Sequence, residues 1–324
     1  MQFIANGGKL ELMSGNLNVL VTGANGFIAS HLIPALNDSG YKVSGAVRNK
    51  MPLSGVNKTV AVGDVGAQTD WSTALTGVDI VIHLADVSPG KATSMEQFDF
   101  VSRQGTAMLA QQAADASVQQ FLFLSTAALL PRNSNAPISE AEAFIPSDMR
   151  NQKDYYARAK RRAEQKLWEI SKRSGLGVTV IRSPLVLGQD GIGNVRLLRR
   201  AIEEGLPLPF RSVTENRRDY ISADVLSAFF IHCMQRPESI GATFHVSDGR
   251  PLSTYQLLIQ LGKLARKPPR LFSFPHTILI GLLNTLGQKN LADQLFGDFQ
   301  LDTSQANQLL GWTPPETGNI STLR

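Results

Sequence analysis

The stretch that decides the fold is "NVLVTGANGFIASHLIPAL", Asn18 to Leu36. "NVLVT" reads as a strand and "FIASHLIPAL" as the start of a helix. At the hand-over stand Gly23, Gly26 and Ala29, three apart. Glycines at such a turn let the backbone approach a pyrophosphate, which the free N–H groups and dipole of the following helix attract. Gly23 makes the turn, Gly26 admits the phosphates, and Ala29 lets the helix lie close on the strand.

Around this stretch the same alternation repeats. "KVSGAV" (from Lys42), "KTVAV" (Lys58), "DIVIHL" (Asp79), "QFLFLS" (Gln120) and "GVTVIR" (Gly177) read as strands. Helical patterns separate them, among them "QGTAMLAQQAADASV" and "YYARAKRRAEQKLWEISKRSG". Near-continuous apolar strands alternating with helices predict an α/β protein whose parallel sheet is doubly wound, covered by helices on both faces. After Arg182 the chain turns richer in Gly and Pro ("GLPLPF", "RKPPRLFSFP"), which reads as a smaller, mixed α/β lobe. The helix "ADVLSAFFIHCM" and strand "TFHVS" are expected to return to the large lobe. The expected division is an extension over 1–16, a dinucleotide-binding domain over 17–182 and 218–247, and a substrate lobe over 183–217 and 248–324.

Composition narrows the function classes. The chain has 324 residues, 43% hydrophobic and 18% charged, with a formal charge of +5. Its basic pairs are scattered and lack interleaved aromatics, which argues against a nucleic-acid partner. One cysteine, Cys233 in an apolar helical run, excludes an internal disulfide and reads as a core thiol. The five histidines show no metal-ligand spacing, so no metal is expected. The first residues lack the pattern of a signal peptide. "HTILIGLLNTLG", from His276, is too short to span a bilayer. A cytoplasmic enzyme is the expectation.

Two further features specify the ligand and the chemistry. A carboxylate about 20 residues after the glycines would bind the ribose hydroxyls of NAD, whereas arginine would accommodate a 2′-phosphate. The second strand ends "SGAVRNK", with Arg48 at that place and no acid before Asp64, so NADP(H) is favoured and NAD(H) is the alternative. In "YYARAK", Tyr156 and Lys160 share a helix face. An ammonium there would lower the phenol's pKa and make it a usable acid and base. The strand before it ends in "FLSTAA", which brings the hydroxyl of Ser125 or Thr126 to the sheet's carboxyl edge. Tyr155 points about a quarter-turn away and is read as packing.

"TGANGFIASH", "HLA" at His83, "ST" at Ser125 and "YARAK" at Tyr156 together resemble the extended short-chain dehydrogenase/reductase family. The likeness continues through "RRDYISADVLSAF", "TFHVSDGRPLSTYQLL" and "LLGWTPP", covering nearly everything after residue 16. It implies a Rossmann sheet, a nucleotide-sugar substrate and a homodimer. It assigns Thr126 to the reacting oxygen, Tyr156 to acid–base work, and Lys160 to the nicotinamide ribose. Asp64 and Val65 match the adenine pocket, and Ala85 the cofactor's ribose and phosphates. Asn25, Phe27, Ile28, Leu84, Pro184 and Val186 complete the cofactor set. Arg218, in "RRDYI", matches the arginine that grips the sugar diphosphate, with Asn194 and Leu208 beside the substrate.

Within the family, "VGDVGAQTDW", "GLPLPF" and "FQLD" resemble a bacterial branch of UDP-glucose 4-epimerase-like enzymes. That branch also holds reductases of UDP-linked 4-keto sugars for surface polysaccharides. Three departures from the family pattern stand out. Ser102 replaces the Asn of "NVxGT", Leu185 replaces the Asn that 4-epimerases place after their strand-end Arg, and "LLP" replaces "VYG". With Arg48, these departures favour an NADP(H)-dependent reductase of a nucleotide-linked 4-keto hexose, most simply UDP-bound. The alternative is a UDP-hexose 4-epimerase with bound NAD. A non-catalytic NADP-binding regulatory protein is the remaining reading, and the intact Thr126–Tyr156–Lys160 set speaks against it.

Overall fold

A computed structural model of the chain describes residues 17–87, 94–131, 136–142, 152–188 and 194–315. The 1–16 extension therefore lies outside the described residues.

The first half alternates strand and helix. Strands β1 (Asn18–Thr22), β2 (Lys42–Val47), β3 (Lys58–Ala61), β4 (Ile80–His83), β5 (Gln120–Thr126) and β6 (Gly177–Ser183) take the six positions expected. Between them run helices α1 (Phe27–Asp38), α2 (Ser72–Leu75), α3 (Met95–Phe98), α4 (Thr106–Asp115) and α5 (Gln152–Ser174). A π-helical turn, Asp99–Gly105, joins α3 to α4.

The second half supplies β7 (Leu185–Leu187), α6 (Asn194–Glu204), β8 (Pro207–Leu208), β9 (Tyr220–Ser222), α7 (Ala223–Met234), β10 (Thr243–His245) and α8 (Thr254–Leu264). After these come β11 (Arg270–Leu271), α9 (His276–Thr285), α10 (Lys289–Phe296) and α11 (Ser304–Leu310).

Seven strands form one sheet in the order β10-β6-β5-β4-β1-β2-β3, every neighbouring pair parallel. Strand alternation divides the core. Val19, Val21, Ile80, Ile82 and Leu122 face α1 and α7 on one side. Leu20, Val81, Phe121 and Phe123 face α4 and α5 on the other. This is the doubly wound Rossmann arrangement. Strand order reverses between β1 and β4, so a crevice opens at their carboxyl ends, where such sheets bind ligands.

The smaller lobe has its own core, in which Leu187, Val195, Ile202, Phe210, Tyr220, and Leu257, Leu258 and Leu261 of α8 are buried. Its strand pairs are short: β7 lies on β9, and β8 on β11. The last helix, α11, belongs to the stretch read from sequence as smaller lobe. It inserts Ala306 and Leu310 into the large-lobe core beside α7 and β10, where an apolar edge would otherwise be wet.

A buried ionic cluster ties α5 to the sheet. Glu164, fully buried, accepts both Nε and an Nη of Arg182 on β6 (3.0 and 2.8 Å) and the Ser125 hydroxyl (2.6 Å). The bidentate geometry satisfies both carboxylate oxygens, as a charge held away from water requires.

Candidate active site

The site begins at the β1–α1 turn. Gly23 has φ +65°, and a Cβ placed on it would lie 3.0 Å from the backbone N and Cα of Ala85. Only glycine fits both the left-handed conformation and that approach. The Gly26 N–H closes the turn on Gly23 O at 2.8 Å. Gly26 is also the N-cap of α1, and no side chain caps the N–H groups of its first turn, which contains no acid. Those groups have no partner within the helix. Ala29 is fully buried against the sheet. Open N–H groups beside a backbone cradle suit a dinucleotide pyrophosphate, with Asn25, Phe27 and Ile28 at its rim.

A polar chain locks the two strands that flank the crevice. The Thr22 hydroxyl oxygen accepts the N–H groups of Leu84 and Ala85 (3.2 and 3.1 Å) and lies 2.7 Å from His83 Nδ1. With two N–H groups on that oxygen, the hydroxyl proton goes to Nδ1. His83 then carries its own proton on Nε2 and donates to Thr106 at 2.9 Å. Burial, helped by the charge of Lys160, pushes His83 down to about 3, so the ring is neutral. The ring thus spans the buried gap between Thr22 and Thr106.

Beyond β2, the Arg48 guanidinium reaches Asp64 at 2.6 Å, both side chains being largely exposed. The loops after β2 and β3 are joined, so the acid missing from the β2 end in sequence is supplied in space by β3. Val65 packs beside it against Gly105, whose Cβ position would lie 2.5 Å from Val65 Cγ1.

Thr126, Tyr156 and Lys160 converge at the carboxyl end of β5. Lys160 is buried and donates to Leu124 O at 2.7 Å, two residues before Thr126. Ala127 and Ala157, next to Thr126 and Tyr156, share one apolar cluster. The Thr126 hydroxyl accepts the Ala128 N–H at 3.1 Å and starts the following turn. Ser125 points inward to Glu164, so of the two hydroxyls Thr126 is the one left on the site side. Tyr156 stands against the Phe98 ring, with Tyr155 packed in the same small cluster.

One expectation is corrected here. Lys160 was expected to lower the Tyr156 pKa. Instead Tyr156 lies well above the ordinary phenol value, through burial first and the negative charge of Asp86 second. Asp86 Oδ2 also lies 2.6 Å from Lys160 Nζ, so the ammonium is paired with a carboxylate rather than with the phenol. Asp86 is itself held by the Ser102 hydroxyl at 2.5 Å and the Val87 N–H at 2.7 Å, both on Oδ1. Sequence reading missed Asp86. Its signal was position, directly after "HLA" at the end of β4, where any side chain meets the crevice. Ser102, noted only as a departure, is its partner.

Of the remaining residues expected at the cofactor, Pro184 is buried and Val186 half-buried, where β6 passes into β7. Leu185 pairs in register with Tyr220, which brings Arg218 and its strand alongside. Arg218 is half-buried, stacks on Phe299 at 5.3 Å, and donates to the carbonyls of Asp293 and Gly297, both at 2.9 Å. Phe299 shares the cluster of Ala127 and Ala157, so Arg218 is linked to the Thr126–Tyr156 region through one ring. Leu208 packs half-buried on the smaller lobe's core. Asn194 begins α6, and its side chain lies outside the described residues.

Comparisons with known proteins agree with this geometry. Residues 19–247 match the NAD dependent epimerase/dehydratase family. A UDP-glucose 4-epimerase of Vibrio cholerae is 31% identical over 309 residues, covering 93% of this chain and 92% of its own. Cinnamoyl-CoA reductase 1 of Petunia hybrida is 31% identical over 193 residues, 55% of this chain and 57% of that one. Among solved structures, UDP-glucose 4-epimerase of Thermotoga maritima with UDP-glucose superposes with a TM-score of 0.72 at 21% identity, covering 95% and 97% of the two chains. The UDP-glucuronic acid 4-epimerase of Bacillus cereus in complex with NAD gives 0.74 at 20% identity, covering 94% of each. With its glycine turn, its Tyr–Lys helix and this match over most of its length, the chain belongs to the NAD-dependent epimerase/dehydratase family and is an enzyme of the extended short-chain dehydrogenase/reductase type.

Proposed function

We propose that the protein is a UDP-hexose 4-epimerase that works with bound NAD. The observation that carries this reading is the convergence of Thr126, Tyr156 and Lys160 beside the Gly23–Ala85 cradle, in a chain alike to the Vibrio cholerae epimerase over nearly its whole length. Gly23, Gly26 and the first turn of α1 would hold the pyrophosphate, Val65 and the Arg48–Asp64 pair the adenosine end, and Lys160 the nicotinamide ribose. When bound, the nicotinamide supplies redox capacity at the sugar's C4. The chain's own residues move the proton: Tyr156 takes it from the C4 hydroxyl and returns it, while Thr126 orients that oxygen. Lys160 must turn part of its charge from Asp86 toward the ribose and the phenol. Arg218 would meet the diphosphate with whatever donors its two carbonyl bonds leave free.

A second reading, reduction of a 4-keto sugar by NADPH, is favoured by the exposed Arg48 guanidinium and by Leu185 in place of an amide. An exposed ion pair such as Arg48–Asp64 contributes only about 0–1 kcal/mol, so a 2′-phosphate could displace the carboxylate. Arg48→Ala separates the two roles. If Arg48 reads a phosphate, NADPH binding weakens by about 10- to 150-fold, the range of a charge-assisted bond, while NADH is unaffected. Equal losses for both cofactors leave Arg48 only its pairing with Asp64.

The reaction itself is tested by incubating the purified protein with UDP-glucose or UDP-N-acetylglucosamine and no added nucleotide. Formation of the 4-epimer supports the epimerase. No epimer, with NADPH oxidised only when a UDP-linked 4-keto hexose is supplied, replaces it with the reductase.

A further inference from the structure

The charge of this chain is concentrated in one place. Residues 249–292 contain six basic side chains, Arg250, Lys263, Arg266, Lys267, Arg270 and Lys289, and no Asp or Glu. Elsewhere 26 Lys and Arg face 27 Asp and Glu. All six are exposed, and none is ion-paired among the described residues. Lys267 and Arg270 instead reach backbone carbonyls of Glu203 and Gly205 at the end of α6. The turn that carries Arg266 and Lys267 is fixed, since Gly262 on α8 lies against Pro269 with no room for a Cβ.

The same stretch contains helix α9, which buries no residue at all. Ile278, Leu282 and Leu286 recur every fourth position, so they form one stripe. They are 57, 54 and 64% exposed, and Phe272, just before the helix, is 42% exposed. The opposite side of the element rests on α10, with His276 against Phe296. A soluble surface rarely leaves such a stripe uncovered without a partner for it. At ten residues α9 is about 15 Å long, half of what a bilayer core needs. An apolar stripe on a short helix, with cations before and after it in the chain, instead suits a helix that lies in the plane of a membrane interface.

We propose that α9 and its basic border dock the protein on the surface of an anionic lipid bilayer. Ile278, Leu282, Leu286 and Phe272 enter the headgroup boundary, while Arg270, six residues before the helix, and Lys289, four after it, meet lipid phosphates. Charge selects this occupant over a second copy of the chain, because two copies joined through α9 would bring two acid-free basic stretches together. The docking is independent of the reaction assigned above.

The test is co-sedimentation of the full-length protein with vesicles of phosphatidylcholine alone, or with about a third phosphatidylglycerol to give the surface a negative potential. Binding to the anionic vesicles is expected, weakening as salt rises from about 0.1 M to about 1 M and the Debye length falls from about 10 to about 3 Å. Leu282→Asp with Leu286→Asp should abolish it, and Arg270→Gln with Lys289→Gln should lower it about 30-fold, roughly one kcal/mol for each cation. These side chains are exposed, so the variants should melt like wild type and keep their activity on soluble substrate. Absence of vesicle binding, or equal binding to neutral vesicles, overturns the proposal. So does sedimentation velocity showing that the Leu282→Asp, Leu286→Asp variant turns a dimer into a monomer, for then a second copy covers α9.

Discussion

Lys160 shows how one residue's environment reshapes the chemistry its sequence position suggests. Four residues after Tyr156 it looks like a source of positive charge for the phenol. In space it is shared between the Leu124 carbonyl, the Phe123 ring at 4.3 Å and the Asp86 carboxylate. The pairing with Asp86 spans 74 positions in the chain, so no local pattern reveals it, whereas the Tyr–Lys spacing is local and legible. The charges near Tyr156 are Lys160 on its own helix, Asp86 after β4, and, beyond Phe98, Asp99 with its partners Arg103 and Arg162. Asp86 raises the Tyr156 pKa by charge. Asp86→Asn keeps an acceptor for Ser102 and removes that charge, so the phenol becomes easier to ionise. The limb of the pH–rate profile that reports Tyr156 should therefore move to lower pH. A profile that keeps its position while activity falls would make Asp86 merely structural.

Among elements, β1, α1 and the turn between them were readable because the glycines, the apolar alternation and the helix start all point the same way. The strand pairs β7–β9 and β8–β11 were not, since two- or three-residue strands carry no periodicity and are made by packing on the smaller lobe's core. The buried Glu164 on α5 was equally hidden, because within "KRRAEQK" it looks like one more solvated helix charge. Its partners Arg182 and Ser125 lie on two sheet strands. Removing one member of a buried pair leaves the other charge unpaired, at a cost of about 3–5 kcal/mol. Glu164→Ala should thus lower the unfolding free energy measured in urea by that amount, and Arg161→Ala, whose partner keeps Arg182, far less. Similar small effects from both would mean that water reaches the cluster.

At the scale of the molecule, the large sheet was legible from six apolar runs, and its seventh strand from "TFHVS". The junction of the lobes was legible only through the resemblance. Here Asp219, next to Arg218, is pushed up to about 6 by burial first and by the charge of Asp248, against the Leu301 N–H that it accepts at 2.7 Å. A carboxyl raised in the folded state binds its proton more tightly there than when unfolded. Its contribution is therefore full below about pH 4 and is lost as pH rises through about 6. Asp219→Asn cannot ionise, so relative to wild type it should gain stability between pH 4 and pH 7, by up to about 3 kcal/mol. Urea unfolding at the two pH values measures this, and an unchanged difference would show that Asp219 is hydrated. The centre on which both lobes converge is tested most directly by turnover of UDP-glucose in Tyr156→Phe, with Tyr155→Phe as control. If Tyr156 is the proton carrier, its loss should lower kcat by about 10²–10⁴ with cofactor binding nearly intact, and the Tyr155 variant should stay close to wild type. Activity in Tyr156→Phe within about tenfold of wild type, below the range of a positioned general acid, would contradict the assignment.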